Sequence, residues 1–426
     1  MNGFRDTEFV EELDEEQYKK DILDNMKNAP FEIRDYQDKA VRAALKYHKG
    51  ILLSCTSSGK SLMIYNIIRC LRKQEMKHIL LIVPNIMLVD QMYDDFKDYG
   101  YENVDDDVER LGGGHEATFD KPVLISTWQS LQNKDSEFFE KYNAVFVDEV
   151  HGVKANVMSK LMKWCSNAYY KIGTTGTLPN DKADLLQIRE VVGDVIFELK
   201  SKELIDKGVL TKIKIANIIA KYPSDFVLKN KGRSYPEEVK MVEEYQDRNK
   251  VLDMILEHTD KKHNVLVLMN HLKHVQLIKE WFQEKYPERK VSIITGSVSG
   301  EERSEIRKGI EEEDGTILLA TYATMSTGVN MPKLHDVILY ANSKSKIKVL
   351  QSIGRGLRKH ATKNQILLYD IIDDLSYKTR TGRVVENYLI KHWKERMSYY
   401  KEQEFPVIST SIISSDSFIS RPPRPT

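Results

Sequence analysis

Ten short apolar runs, arranged in two series, constrain the fold of this chain more than any other feature. Each is rich in Ile, Val and Leu, as expected of strands buried on both faces of a parallel sheet. The first series comprises Ile51–Cys55, His78–Pro84, Val123–Thr127, Ala144–Glu149 and Tyr170–Thr174. The second comprises Asn264–Met269, Val291–Thr295, Thr316–Thr321, Asp336–Asn342 and Gln365–Ile371. Amphipathic stretches separate the runs, so both series alternate strand and helix.

Two strand–helix series in tandem predict an α/β protein with two parallel-sheet domains. A chain of 426 residues also exceeds the size at which a single core stops growing. We expect a first domain over residues 30–205 and a second over 206–403, with Ser201–Val209 crossing between them. Residues 1–29 are acidic and predict an N-terminal arm, either loosely helical or disordered. Residues 404–426 predict a flexible tail.

Composition excludes several classes of protein. No run approaches the roughly 20 apolar residues that span a bilayer, and the N-terminus lacks an apolar signal-peptide core. We therefore expect a cytoplasmic protein without a membrane partner. The three cysteines form no C-x-x-C pair, which argues against zinc and a disulfide framework. Basic and acidic residues number 64 each, a balance that does not decide for or against nucleic acid.

The stretch Leu53–Ser61, LSCTSSGKS, has the character of a phosphate-binding loop, because it follows a predicted strand and opens a predicted helix. Lys60 would hold the β- and γ-phosphates and Ser61 would ligate Mg²⁺. Backbone amides around the turn would cradle the phosphates; they belong to Thr56, Ser57, Ser58 and Gly59. The alternative is an ordinary strand–helix turn. Ser54 stands where the pattern has glycine, and we expect Ser54→Gly to be nearly silent.

A second stretch, VFVDEVH, delivers two acids at the end of a buried strand, Val145–His151. Asp148 suits the Mg²⁺ shell and Glu149 suits polarising the attacking water of a phosphoryl-transfer reaction. The alternative is a strand that ends in a solvated acidic turn. We expect His151 to couple hydrolysis to the hydroxyls of the GTTGT stretch, Gly173–Thr177.

A glutamine about twenty residues before the loop is a candidate for nucleobase binding. Gln37, in FEIRDYQ, can both donate to and accept from an adenine edge. Phe31 or Arg34 would stack on the ring. An ordinary helix start explains this stretch equally well.

Two arginines in the second half are candidates for transition-state stabilisation. Arg355 and Arg358, in QSIGRGLRKH, are three residues apart, a spacing that predicts one shared helix face. Arginines that reach a γ-phosphate stabilise charge in the transition state; the alternative is a solvated basic face. Thr327 and Gly328 offer a hydroxyl and an open amide to a phosphate. Gly328 and Gln351 are further nucleotide-binding candidates.

In their order along the chain, these stretches resemble the motifs of the superfamily 2 helicases, from Phe31 to Asp374. RDYQ resembles the Q motif, SCTSSGKS motif I, VPNIMLVDQ motif Ia, ISTWQSL motif Ib and DEVH motif II. TTGT resembles motif III, VLVLMNHLKH motif IV, ATYATMSTGVN motif V and QSIGRGLR motif VI. Within the superfamily, LGGG and SKIKVLQSIGRGLRKH resemble the UvsW-like recombination and repair helicases of phages, which drive branch migration.

The resemblance implies two tandem RecA-like domains with an ATP cleft between them, and ATP and Mg²⁺ as cofactors. It implies an ATP-dependent DNA helicase or translocase that remodels branched DNA: Holliday junctions, stalled forks, R-loops or D-loops. The DNA would be gripped through its backbone, without sequence preference. Candidate contacts are Pro84, Asn85, Gln91, Thr127, Trp128, Asn270, His271, Thr295, Thr324 and Thr327. For Trp128 a place in the core is the competing interpretation.

We further expect a monomer whose protein partners are recombination or single-strand-binding proteins. UvsW-like helicases carry a small DNA-binding domain where this chain has its acidic arm. A partner or the predicted helix Tyr388–Glu402 would substitute for it.

Other functions remain open. A DExH RNA helicase or a restriction-type double-strand DNA translocase would share the same motifs. A nucleotide-gated DNA-binding module without translocation is an alternative of another class. The water-polarising acid Glu149 and the arginine Arg358 argue against that module, because binding alone needs neither.

Overall fold

The chain forms two compact units, Met1–Lys200 and Ser201–Thr426. The computed structural model describes residues 12–152, 155–179, 181–295, 300–325, 331, 333–343 and 345–414, without the side chains of residues 155, 156, 300–304, 307, 355 and 356. The predicted boundary lay slightly later, at 205/206. Ser201–Val209, expected as a crossover, therefore opens the second unit.

Seven strands of the first unit's described residues form one parallel sheet, in the order β3-β4-β2-β5-β6-β1-β7. The strands are β1 (Lys49–Ser54), β2 (Ile79–Val83), β3 (Val108–Leu111), β4 (Val123–Thr127), β5 (Ala144–Val147), β6 (Tyr170–Thr175) and β7 (Val195–Leu199). The helices are α1 (Glu15–Asn25), α2 (Asp35–Tyr47), α3 (Lys60–Lys73), α4 (Ile86–Asp98), α5 (Val104–Asp107), α6 (Trp128–Leu131), α7 (Ser136–Glu140), α8 (Ala155–Trp164) and α9 (Lys182–Val192). All five predicted strands of the first series are present.

The acidic segment at the N-terminus is more ordered than we expected. Within it, α1 packs on α3, and Tyr18 is buried with its hydroxyl donating to Asp38 at 2.7 Å. Lys73 of α3 lies 2.8 Å from the Asp24 carboxylate. The tyrosine hydroxyl of Tyr65 donates to the backbone oxygen of Asn25 at 2.9 Å. Acidity there neutralises cations of the neighbouring helices. Of the two alternatives for the arm, the structure shows the helical one over Glu15–Asn25, and this helix is packed rather than loose.

The second unit's described residues contain another seven-stranded parallel sheet, in the order β10-β11-β9-β12-β13-β8-β16, and a two-stranded antiparallel pair, β14-β15. The strands are β8 (Lys212–Lys221), β9 (Val265–Met269), β10 (Val291–Ile294), β11 (Ile317–Thr321), β12 (Asp336–Leu339), β13 (Gln365–Asp374), β14 (Tyr377–Lys378), β15 (Val384–Val385) and β16 (Val407–Ser414). The helices are α10 (Ser201–Asp206), α11 (Ser224–Lys229), α12 (Tyr235–Glu243), α13 (Lys250–Glu257), α14 (Leu272–Lys285), α15 (Gly300–Glu312), α16 (Tyr322–Met325), α17 (Lys346–Gly356) and α18 (Tyr388–Glu402). The α/β, parallel-sheet prediction is confirmed for both units. No helix within the described ranges is long and apolar enough to cross a bilayer.

The C-terminal tail was predicted incorrectly over part of its length. Residues 407–414 form β16, which pairs in parallel with β8 along its open edge. The mixture of β-branched residues and serines in VISTSIIS suits an edge strand. β8 itself was absent from the prediction, so its free edge could not be foreseen. Residues 415–426 of the predicted tail lie outside the described part.

Parallel pairing places the carboxyl ends of all strands of a sheet at one edge, where ligands of such folds bind. In the first unit this edge carries the ends of β1, β5 and β6, side by side in the sheet. It also carries the ends of β2 and β4, which are the next strands along. Residues far apart in sequence are thereby brought to one surface.

Two buried ion pairs near the carboxyl end of β13 stabilise the second unit. Arg396 of α18 contacts Asp370 through two bonds of 2.8 and 2.9 Å. Arg248 contacts Asp373 through bonds of 2.7 and 3.0 Å. Asn342 joins the pairs, accepting from Arg396 at 3.0 Å and donating to Asp373 at 2.7 Å. Because both carboxylates lie on β13 and are fully buried, each depends on its arginine.

Removing one member of such a pair should be far more costly than removing both. Arg396→Met leaves the buried Asp370 carboxylate uncompensated, and we expect it to lower the free energy of unfolding by about 3–5 kcal/mol. Arg396→Met combined with Asp370→Leu should lose clearly less, because no buried charge is left alone. Urea unfolding of the two variants measures the difference. A double variant no more stable than the single one would contradict this role of the pair.

Candidate nucleotide site

The loop between β1 and α3 has the backbone of a phosphate cradle. Gly59, the residue before α3, has a left-handed backbone with φ of 84°. Ser57 also has positive φ, 67°, which is unusual for a residue with a side chain and typical of strained functional turns. The N-terminus of α3 follows directly, so its free amides and positive dipole end face the loop.

Gln37 of α2 connects this helix to the loop by a hydrogen bond. Its side chain is buried; the amide nitrogen donates to the Ser58 backbone oxygen at 2.9 Å, and the amide oxygen accepts from the Arg34 backbone at 3.0 Å. One N–H and one lone pair of the amide remain for an adenine edge. Phe31 is 43% exposed and therefore accessible to a base, whereas the Arg34 guanidinium donates to Tyr36.

Lys60 and Glu149 form the charged centre of the site. The lysine Nζ lies 3.5 Å from the carboxylate of Glu149 and 3.4 Å from the backbone oxygen of Ser54. Both side chains are largely buried, at 12% and 20% exposure. Glu149 adopts a left-handed backbone, φ 47°, directly after β5. A cation from the loop and an acid from β5 are thus brought together by neighbouring parts of the sheet edge.

Asp148 is the more deeply buried of the two acids. Its carboxylate accepts a hydrogen bond of 2.6 Å from the hydroxyl of Thr174. Burial raises its pKa to about 6, and the neighbouring charge of Glu149 adds to the rise. Burial acts to raise the pKa of Glu149, but Lys60, His151 and the Gly176 amide together outweigh it, so that pKa lies below its ordinary value. Glu149 is therefore held as a carboxylate.

His151 lies where the expected coupling to the threonine stretch requires it. Its Nδ1 is 2.6 Å from the hydroxyl of Thr175, which also lies 3.4 Å from the carboxylate of Glu149. Burial lowers the pKa of His151 against the opposing effect of Glu149. A neutral imidazole therefore connects the two motifs by hydrogen bonding. Its role in coupling stays a prediction.

The oxygen ligands that magnesium prefers are present among these residues. They are the hydroxyl of Ser61, in the first turn of α3, and the carboxylate of Asp148, directly after β5. No group of three or more His, Cys, Asp or Glu side chains that could hold a metal occurs in the described ranges. The Ser61 hydroxyl and the Asp148 carboxylate would hold such an ion, which would neutralise phosphate charge when bound. The Ser61 hydroxyl lies 2.7 Å from that of Tyr99.

Three contacts of this site were not anticipated from the sequence. Tyr99, which holds Ser61, follows α4 and belongs to no motif. Thr174 was only one of several hydroxyls in its stretch. Ser54 is fully buried, and its hydroxyl donates to that of Ser58 at 2.7 Å. Ser54→Gly, which we expected to be nearly silent, would break this buried hydrogen bond, so the contact argues against that expectation, which stays a prediction.

In the second unit the arginine prediction needs correction. Helix α17 ends at Gly356, so Arg358 lies beyond it and cannot share a helix face with Arg355. The chain leaves the helix there because it pairs with the residues before β8: Arg358 forms a backbone bridge with Leu210. Gln351 is buried within α17. The side chain of Arg355 and the residues Thr327 and Gly328 lie outside the described part.

The candidate DNA contacts fall into two groups. The hydroxyl of Thr127 caps α6 at 3.2 Å from the Ser130 amide, and that of Thr324 lies 2.8 Å from Thr321. These two side chains and Thr295 are buried. The candidates with at least partly accessible side chains are Pro84, Asn85, Gln91, Trp128, Asn270 and His271. Thr327 lies outside the described residues. Trp128 packs partly against the core, so both interpretations of it stand.

Known proteins match along most of the chain. Residues 30–180 match a family model described as "Type III restriction enzyme, res subunit", and 247–360 match "Helicase conserved C-terminal domain". The ATP-dependent DNA helicase uvsW of Enterobacteria phage T4 is 32% identical over 88% of this chain and 76% of its own length. The DNA 3'-5' translocase XPB2 of Sulfurisphaera tokodaii is 23% identical over 80% and 81%. S. cerevisiae Dbp5, solved with RNA and ADP BeF3, shares the fold, with a TM-score of 0.60, 12% identity and 94% coverage of both chains.

Two parallel-sheet units with these matches define a helicase. The extent of the match to uvsW shows the family: the chain belongs to the UvsW-like helicases of superfamily 2 and is an ATP-dependent helicase. The resemblance inferred from the motifs is confirmed, as is the expectation of tandem RecA-like domains.

Gly59 should be indispensable for ATP binding. A Cβ at this position would lie 2.4 Å from Nε2 of Gln37, and a residue with a side chain would have to adopt the positive φ of 84°. We expect Gly59→Val to displace Gln37 and to weaken binding of a fluorescent ATP analogue. The expected loss of affinity is at least about tenfold, which corresponds to about 1.4 kcal/mol of binding free energy. Gly232→Val is the matched control, since Gly232 has a φ of 74° but open space around it. Equal binding by both variants would contradict the collision.

Ser54→Ala tests the buried hydroxyl. We expect it to lower the free energy of unfolding by about 1–2 kcal/mol, because the Ser58 hydroxyl loses its partner. Ser54→Ala combined with Ser58→Ala should recover part of this loss, since no donor or acceptor is then left alone. Thermal or urea unfolding measures both. Unchanged stability of Ser54→Ala would show that this hydroxyl can be lost at no cost, as the expectation for Ser54→Gly requires.

Proposed function

We propose that this protein is an ATP-dependent DNA helicase or translocase that remodels branched DNA in recombination and repair. The substrates would be Holliday junctions, regressed forks and R-loops or D-loops. The observation that carries the proposal is the match to a DNA helicase at 32% identity across 88% of the chain, together with the assembled cluster of Lys60, Asp148 and Glu149.

The proposed hydrolysis follows from the charges of the first unit. Lys60 would exchange its contact with Glu149 for the β- and γ-phosphates of ATP. Glu149, held as a carboxylate, would then be free to polarise the attacking water. Ser61 and Asp148 would hold Mg²⁺. The bond between His151 and Thr175 would transmit the change to β6, whose neighbours include β1 and β5.

The sheet orders suggest how DNA and ATP are kept apart. In the first unit the accessible candidates Pro84, Asn85 and Trp128 follow β2 and β4, on one side of the ATP-site strands. In the second unit Asn270 and His271 follow β9, which lies between β11 and β12 in that unit's sheet. We propose that these residues contact the DNA backbone, which would make recognition dependent on structure rather than on sequence.

The setting of this activity is part of the proposal. A monomer in the cytoplasm, that of a bacterial host if the gene belongs to a phage, would act with recombination or single-strand-binding proteins. The domain assignment, an ATP-binding domain followed by a C-terminal helicase domain, agrees with the positions of the two family models.

A restriction-type double-strand translocase is the second candidate, because the model matched by residues 30–180 is that of a restriction subunit. That match covers the ATP-binding half, whose chemistry both functions share. Strand displacement on labelled junction DNA, linear duplex DNA and RNA duplex separates the possibilities. We expect release of strands from junction DNA alone; translocation on linear duplex without strand release would favour the alternative.

Lys60→Ala and Glu149→Gln should fail at different steps. Lys60→Ala removes the phosphate-binding cation, so both ATP binding and hydrolysis should be lost. Glu149→Gln keeps the shape of the side chain but not the base, and should retain ATP binding while turnover falls by about 10²–10⁴-fold. Equilibrium binding of an ATP analogue and single-turnover hydrolysis measure the two steps. Glu190→Gln on the exposed face of α9 is the control. Hydrolysis by Lys60→Ala would refute the assignment.

Arg358→Ala should spare ATP binding and stop hydrolysis, if this arginine stabilises the transferred phosphoryl group. Arginines in that role contribute about 10³–10⁵-fold to turnover. Lys359→Ala, next along the chain and exposed, is the matched control. Normal turnover by Arg358→Ala would remove Arg358 from the proposed mechanism.

A further inference from the structure

A small β-hairpin in the second unit has a place and a charge that the proposed ATP site does not use. Strands β14 and β15 pair antiparallel, with Tyr377 opposite Val385 and Lys378 opposite Val384. Tyr377 packs against a small apolar cluster that includes Leu375 and Leu389. Lys378 and Val384 lie on the other face of the ribbon and are exposed, Val384 by 53%.

The hairpin is rigid at both ends. At its base the buried amide of Asn387 donates to the Asp373 backbone oxygen at 3.1 Å and accepts from the Leu375 amide at 3.1 Å. At its tip the Thr379 amide donates to the Arg383 oxygen at 2.8 Å, and Gly382 supplies the left-handed residue, φ 79°, that such a short turn needs. Its surface is therefore presented in a fixed geometry.

The exposed surface of this hairpin is cationic. Residues 375–385, LSYKTRTGRVV, contain three basic residues and no acidic one. Lys378, Arg380 and Arg383 are all exposed. Within the described ranges, none of the three is within ion-pair distance of a carboxylate. A compact group of unneutralised cations on a rigid ribbon is complementary to a phosphate backbone.

The hairpin also lies at the edge of the sheet where the DNA candidates of this unit lie. β13 ends at Asp374, immediately before the hairpin, and β9 ends immediately before Asn270. A chain of hydrogen bonds connects the two places: Asn270 donates to the Asn342 backbone oxygen at 3.0 Å, and the Asn342 side chain donates to Asp373 at 2.7 Å. Asp373 is in turn held by Asn387.

From these observations we propose that the hairpin Tyr377–Val385 is a DNA-contacting element of the second unit. Lys378, Arg380 and Arg383 bind phosphates of the branched substrate, and the exposed side chain of Val384 lies against the bases or sugars beside them. The proposal rests on the proposed function, since it takes DNA as the substrate. It adds a contact outside the helicase motifs.

The test is the affinity of the full chain for a fluorescein-labelled four-way junction, measured across a range of salt concentrations. The triple variant Lys378→Ala, Arg380→Ala, Arg383→Ala should bind at least about tenfold more weakly. Its slope of log affinity against log salt should be smaller by about 2–3, given roughly 0.7–0.9 per phosphate contact. Its ATPase activity without DNA should equal that of the wild type.

A second triple variant of equal charge is the control: Lys212→Ala, Lys261→Ala, Lys262→Ala. These exposed lysines lie at the amino ends of strands of the same sheet: Lys212 begins β8, and Lys261 and Lys262 precede β9. It should bind like the wild type. Arg380→Lys with Arg383→Lys keeps the charge and should keep most of the affinity and the salt dependence.

The outcomes are separable. Equal affinity and equal salt dependence for the wild type and the hairpin variant overturn the hairpin proposal and leave the helicase function intact. Equal losses in the hairpin and control variants also overturn it, because they show a general effect of net charge. A wild-type protein that does not bind the junction overturns the proposed function itself.

Discussion

The parallel direction of the strands is the constraint on which the rest of the structure depends. It forces the carboxyl ends of seven strands in each unit to one edge. The phosphate loop follows β1, the paired acids follow β5 and the threonine stretch closes β6. Since these three strands are neighbours, Lys60, Glu149 and Thr175 lie within hydrogen-bonding or ion-pairing reach although more than a hundred residues separate the first from the last.

Forming such a cluster is unfavourable for the free energy of folding. Two adjacent buried carboxylates cost several kcal/mol each in lost hydration, and a left-handed backbone at Glu149 adds strain. Thr174 offsets part of the cost at Asp148 and Lys60 offsets part of it at Glu149. Retaining a strained, charged cluster in an otherwise apolar sheet is expected where it performs chemistry. The ion pair of Lys60 thus stabilises this cluster, and in the proposed mechanism the lysine exchanges it for phosphate.

Much of this architecture could be predicted from sequence, for identifiable reasons. Runs such as ILLIV, buried in β2, have no plausible place except a sheet covered on both faces. Edge strands were harder: β7 and β16 mix polar with apolar residues, and β16 depends on β8, which the prediction lacked. The packing of α1 could not be predicted because its acids pair with Lys73 and Arg42, partners that only the fold brings near.

At the candidate site, too, some residues could be predicted from the sequence and others could not. Motif spacing placed the candidates Lys60, Asp148 and Glu149 next to strand ends, and the structure brings Lys60 and Glu149 together. It could not show that Arg358 leaves α17, since a helix end depends on a contact with Leu210 from a distant part of the chain. Nor could it identify Tyr99 or the hairpin of β14 and β15, whose significance lies in where they are held rather than in their local sequence.

We propose that a branched DNA structure drives ATP turnover by this chain. The most direct measurement is the steady-state ATPase rate of the wild-type protein with a four-way junction, with linear duplex of the same base composition, and without DNA. We expect a low rate without DNA, a modest rate with linear duplex and the highest rate with the junction. The same rate under all three conditions would contradict it.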